Sequence, residues 1–219
     1  MCNMRNRYSS FLVLIIIFLS SLSTVCARTF EGSINFVRET VFDTTRINIY
    51  VKDSMVRVDE RDTKNRLVSS HIVNLDKEEV YALSHSKELY KKLLVSSYSN
   101  DNGSVSVKKT QNSKEINGHT CNQWRVRDER MNTEVAYWMC DGEFEFFSKL
   151  LNLLRRTEYS LAIFSAVPEV GGFIPMLTEE RTLLRKEKLK IRIVDIEHNN
   201  PSSSLFGIPS HFKSVNRLS

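Results

Sequence analysis

Histidines, cysteines and paired carboxylates are the residues of this chain that could do chemistry. The five histidines are His71, His85, His119, His198 and His211. None stands at the HExxH or HxH spacing, or beside a cysteine, that would gather ligands around a metal ion. They read as surface or strand residues, and no metal site is expected. There is no G-x-S-x-G elbow and no phosphate-binding loop. The pair Gly171-Gly172 makes a turn rather than a phosphate cradle. Asp59-Glu60 and Glu179-Glu180 read as turn and strand-face charges. The sequence therefore offers no catalytic residue and no cofactor set, and a non-enzyme is expected. A hydrolase assembled from dispersed residues is the least favoured reading.

The cysteines are more informative. Residues 119–128 and 132–140 form a hairpin about a loop at 129–132. Its register sets Trp124 against Tyr137, Val126 against Val135, Asn122 against Met139, Arg127 against Glu134, and Cys121 against Cys140. One face is mostly apolar; the other carries an opposite-charge pair and both sulfurs. Cross-strand Cβ atoms stand about 4.5–5.5 Å apart, near what a disulfide needs. The pair is either a disulfide or two buried free thiols. The segment that opens the chain favours the disulfide, because it implies an oxidising compartment.

That segment is residues 1–27. Arg5 and Arg7 precede the apolar run 11–19, which is short for a bilayer span, and Val25 and Ala27 suit a signal-peptidase site. Cleavage after Ala27 is expected, giving a periplasmic or secreted protein of one domain, 28–219. An uncleaved anchor and lipidation at Cys26 are the alternatives; the bulky Val25 disfavours the second. The leader holds two arginines and no acid, so 29 Lys and Arg face 26 Asp and Glu in the rest. An excess of +3 spread along the chain is no nucleic-acid footprint. The basic stretch 181–192 is interleaved with Leu and Ile and reads as a solvated strand face. Asn102-Gly103-Ser104, in the polar loop 96–104, is an N-glycosylation triplet that matters only in a eukaryotic secretory pathway.

The elements that would position these residues are mostly strands. Residues 46–52 alternate strictly, turn at Asp53-Ser54 and continue into 55–59. Further strands fall at 30–37, 67–74, 79–83, 88–95, 105–116 (an edge), 176–184 and 188–198, about ten in all, with a loop at 171–175. Only residues 144–167 have helical spacing. Phe147, Leu150, Leu151, Leu154, Leu161 and Phe164 make an apolar stripe, Asp141 is the expected N-cap, and 157–160 is a place where the helix could divide. Two readings of the stripe stand: plain core, or one wall of a pocket for an apolar ligand.

Four patterns carry a resemblance. They are F-x-G-x-I-x-F from Phe30, Y-V-K-D-x-x-V-R-V-D from Tyr50, K-E-I-N-G-x-x-C from Lys114 and F-x-I-P-x-x-F-K from Phe206. In this order they resemble a family of uncharacterised secreted and periplasmic bacterial proteins, a domain of unknown function. That family is similar to the lipoprotein carriers LolA and LolB. The resemblance implies a curved antiparallel half-barrel with helices closing its open side, and it supplies no catalytic residue. With the strand count, the expected fold is mainly β: a half-barrel with the 144–167 helix on its concave face. The expected function is non-enzymatic binding of a lipid or acylated protein in the cell envelope, with peripheral membrane contact compatible. Its ligand-binding residues are Trp124, Tyr137, Phe147, Leu150, Leu151 and Leu154. The runner-up is an envelope scaffold whose helix is core.

Overall fold

The computed structural model describes residues 29–95, 105–154, 159–164 and 167–215. The leader with its cleavage site and the Asn102 triplet lie outside the described residues. Strands β1 (Gly32–Thr40), β2 (Thr44–Lys52), β3 (Met55–Arg61), β4 (Leu67–Asn74), β5 (Glu79–Ser84) and β6 (Leu89–Leu93) form a meander. β7 (Ser106–Ile116), β8 (His119–Asp128) and β9 (Thr133–Asp141) form a second. Two helices follow, α1 (Glu145–Leu154) and α2 (Tyr159–Phe164), then β10 (Phe173–Thr182), β11 (Glu187–Glu197), a 3-10 turn (Ser203–Phe206) and β12 (Lys213–Ser214). All twelve strands join one open, curved sheet in the order β12-β6-β5-β4-β3-β2-β1-β11-β10-β9-β8-β7. β11 pairs with β1, so the chain's two halves meet at the middle of the sheet.

The alternation of the sequence explains which face is buried. Ile47, Ile49 and Val51 of β2 face the same side as Ile34 and Phe36 of β1 and Val56 and Val58 of β3, and all are buried. This side meets Phe146, Phe147, Leu150 and Leu151 of α1 in the main core. Gly32 sits at φ 152, and a Cβ there would lie 2.0 Å from the Glu197 carbonyl. The glycine of the Phe30 pattern thus lets β1 approach β11.

The main disagreements with the sequence have local causes. The stripe predicts one helix over 144–167; α1 and α2 are two short helices, with part of the expected break outside the described residues. Asp141 ends β9 rather than capping α1; the Phe147 amide instead donates to the Phe144 carbonyl at 2.9 Å. Residues 173–175 are strand, not loop. Pro175 is tolerated in β10 because the register slips between Pro175 and Leu177, and a bulge leaves one amide position unneeded. A second bulge in β11 pairs Asn35 with Asp195 but Phe36 with Ile193. It reverses the alternation, so Ile196 lies opposite the buried Ile34 while Asp195 meets Asn35.

The β8–β9 hairpin has the expected register: Asn122 opposite Met139, Trp124 opposite Tyr137, Val126 opposite Val135 and Arg127 opposite Glu134. One step further, Cys121 and Cys140 are both buried and stand as free thiols rather than a bridge. Each sulfur lies 3.4 Å from a carbonyl of its own strand, His119 and Asp141 respectively. Burial, with Cys140 beside it, pushes the Cys121 thiol up to about 11; burial also raises Cys140. Glu134 pairs diagonally with Arg125, at 3.7 Å, and Arg127 turns to Glu129.

Candidate functional site: an apolar chamber and a polar clamp

Between α1, α2 and the sheet lies an apolar chamber. Its sheet wall is Phe36 of β1, Ile47 and Ile49 of β2, Val58 of β3, Pro175 and Thr178 of β10, and Ile191 of β11. Its helix wall is Phe147, Leu150, Leu151 and Leu154 of α1, with Leu161 of α2. The i, i+3, i+4, i+7 spacing of the α1 residues aims all four at one side. Phe147 stacks on Phe36 at 6.2 Å and meets Phe164 edge-on at 5.6 Å. The free space is about 30 Å³, roughly one water's share of the liquid. The chamber is narrow and partly open at its rim. The described contacts of α1 with the sheet are apolar.

Four of the six residues expected to bind a ligand, Phe147, Leu150, Leu151 and Leu154, therefore line one chamber. Trp124 and Tyr137 do not. Tyr137 is fully buried, touches Phe164 at 5.5 Å and donates its hydroxyl proton to the Ser160 carbonyl, so it fixes α2 to the sheet. Trp124 packs on Phe173 at 5.2 Å, with the Lys109 ammonium 4.3 Å from its ring. The hairpin's apolar face is a supporting wall, displaced sideways from the chamber by β10 and β11.

The opposite face of β3–β5 holds a polar cluster that the sequence reading missed. Arg57 and Asp59 alternate with Val56 and Val58, so they point away from the main core, yet they are buried. The Arg57 Nε donates to Asp59 Oδ1 at 2.7 Å, and its other nitrogens donate to the Leu205 carbonyl at 2.8 Å and to Ser70 Oγ at 3.1 Å. Ser70 Oγ lies 2.5 Å from Asp59 Oδ1 and 2.7 Å from His85 Nε2. Above it, Phe212 meets the His85 ring edge-on at 5.4 Å and packs with Ile72 and Leu83 in a second small core. Burial, then the Arg57 charge, holds the His85 pKa below its ordinary 6.5; Asp59 opposes this, while Arg61 and His211 add to it. The signal was present in the sequence: the Tyr50 and Phe206 patterns supply the two sides of this clamp.

Serine, histidine and aspartate thus converge, but not as a nucleophile relay. Ser70 has one proton, which goes to Asp59; its lone pairs then face Arg57 and His85. His85 is a donor to Ser70 rather than its base, and Asp59 orients the serine rather than the imidazole, the reverse of an activated hydroxyl. Ser70 is also fully buried. Among the described residues, no group of three or more His, Cys, Asp or Glu side chains is arranged to hold a metal ion.

A family model described as a domain of unknown function, DUF4412, matches residues 30–212. This chain belongs to the DUF4412 family. Comparison with curated proteins finds no match. Among solved structures, an uncharacterized conserved protein from Thermus thermophilus superposes with a TM-score of 0.54 at 8% identity, over 87% of this chain and 93% of that one. It shows that the DUF4412 fold recurs in a distant sequence. Pseudomonas aeruginosa MucB, in its complex with MucA, gives 0.49 at 8% identity, over 86% of this chain and 59% of that one. A putative outer membrane lipoprotein-sorting protein domain from Vibrio parahaemolyticus gives 0.32 at 4% identity, over 80% and 87%. The last two likenesses are too loose to argue from.

Proposed function

We propose that this DUF4412 chain is a non-enzymatic protein of the cell envelope that takes an apolar ligand, a lipid or acylated protein, between its sheet and α1. In this reading residues 28–219 are one half-barrel domain and α1 closes its concave side. The observation that carries the reading is the chamber wall. Eleven of its twelve lining side chains are apolar, and the helix wall is held by apolar contact, which a hydrocarbon chain can replace without stranding a polar group. Phe147, Leu150, Leu151 and Leu154 are the ligand's contacts, and Trp124 and Tyr137 support the wall. In an oxidising envelope compartment Cys121 and Cys140 close to a disulfide. Among the described residues no helix is long and apolar enough to cross a membrane.

One observation favours the scaffold instead: free space of about 30 Å³ is what a finished core leaves. Native mass spectrometry of protein purified from its own membrane fraction separates the two. A bound lipid mass, lost in Leu151→Trp, which fills the chamber, supports the carrier. Protein that carries no lipid and takes up no fluorescent fatty acid supports the scaffold.

A further inference from the structure

Thr178 is the one polar side chain in the chamber wall. It is 1% exposed, and its Oγ1 has no hydrogen-bond partner. Charged and polar groups further along the same strands are satisfied, while Trp138 Nε1 on β9 and Ser160 Oγ on α2 are also buried without a partner but do not line the chamber. Glu180, two residues along the same strand face, meets Lys188 at 2.6 Å; Thr133 accepts from Lys188 at 3.0 Å and donates to the Met131 carbonyl at 2.8 Å. A buried hydroxyl without a partner is unfavourable and calls for an explanation. A resident water explains it poorly, because an ordered water needs two to four polar partners and this wall offers one.

We infer that Thr178 is the polar anchor of the chamber and that its hydroxyl donates to the carbonyl oxygen of a long-chain acyl ester or amide. The inference rests on the carrier reading and specifies its ligand. A single neutral donor in an apolar wall matches a single neutral acceptor on an apolar chain. No Lys or Arg lines the chamber, so a free carboxylate would be buried without a counter-charge, which is costly. A plain hydrocarbon would leave Oγ1 as it is. The acyl group of a glycerolipid and that of an acylated protein both carry the required carbonyl. Thr178 lies opposite Tyr137 and Ile191 in the register, on a strand rather than a loop, so its position is fixed when α1 moves.

The test is competition with N-phenyl-1-naphthylamine, using methyl laurate, lauric acid and the alkane of matching length, each delivered from cyclodextrin. Wild type should take the ester about tenfold more tightly than the alkane, a difference of about 1.4 kcal/mol, and the acid at neutral pH should bind more weakly than the ester. Thr178→Val keeps the shape and removes the orphan hydroxyl, so it should fold with an equal or higher melting temperature. It should bind the alkane like wild type while losing the preference for the ester; Thr178→Ser should keep it. An ester preference unchanged in Thr178→Val overturns the anchor and leaves the carrier standing. Wild type that binds none of the three, nor the probe, overturns both. A diacyl phosphatidylglycerol and a palmitoylated peptide, compared as competitors, then distinguish the two sources of the acyl carbonyl.

Discussion

Two side chains, Leu150 and Asp59, show how differently the two faces of this sheet are held. Leu150 is 1% exposed and borders the chamber. Leu150→Ala should cost about 2–5 kcal/mol, towards the lower end because a void already adjoins it and the helix can settle; urea unfolding measures it. Across the sheet, Asp59 compensates the buried Arg57 at 2.7 Å. Asp59→Ala strands that guanidinium and should cost about 3–5 kcal/mol, although no ligand site is touched. A loss below about 1 kcal/mol would mean that water already reaches the pair. His85 adds a pH dependence whose sign follows from burial. Its folded pKa is depressed below 6.5, so the unfolded chain binds the proton first. The stabilisation is present above pH 6.5 and is lost as pH falls through the folded value. The groups facing it are Arg57, Asp59, Arg61 and His211. His85→Gln should flatten the acid limb of a plot of melting temperature against pH; an unchanged limb would assign it to other groups.

Strands and their registers were legible because the side-chain period of a strand is two and a hairpin ties partners together. The β8–β9 register follows from residue types alone, as does the bound of β4. What escaped was whatever breaks periodicity. The bulges at β10 and β11 each add a residue that no pattern marks, and with the second the faces of Asp195 and Ile196 exchange. The α1 stripe was legible, and so were four of its chamber residues, because apolar spacing determines which face is buried. The hairpin's distance from the chamber was not, because strand order across a sheet is not written in any one segment; β10 and β11 intervene only through long-range pairing. The two patterns that build the Arg57 cluster were visible, but their meeting was not, for the same reason, since the cover comes from a segment about 150 residues away. The hairpin makes its own prediction. Under reducing conditions Cys121 and Cys140 should resist alkylation at pH 8 until the protein unfolds, because both are buried and burial raises the Cys121 thiol to about 11. Isolated from an oxidising compartment the protein should contain the bridge, and reducing it should cost about 3 kcal/mol. Two alkylatable thiols in the unreduced, denatured protein from that source would show that the pair stays open.

At the scale of the molecule, one sheet carries two covers of different character. On one face of β3–β5, residues 199–215 are tied down. Arg57 holds the Leu205 carbonyl, β12 pairs with β6 with its Lys213 amide 2.9 Å from the Glu88 carbonyl, and Phe212 fills the second core. On the other face α1 is held by dispersion and apolar burial, while α2 has the Tyr137 hydroxyl to anchor it. Directional bonds must all break before a cover leaves, whereas apolar contacts can be handed to an incoming chain one at a time. If the chamber is to accept an acyl group, α1 is the cover that must move, since the free space is only about 30 Å³. Hydrogen exchange should rank the parts accordingly. Amides of α1 should exchange at least about tenfold faster than those of β1 and β2 beneath it, by sub-global opening. The β12–β6 amides should be protected beyond what a two-residue edge strand would suggest. Addition of an acyl ester should slow α1 and leave β12 unchanged. Exchange of α1 at the same rate as the central strands, unaffected by the ester, would mean that the helix opens only when the whole protein unfolds, and the scaffold reading would then stand.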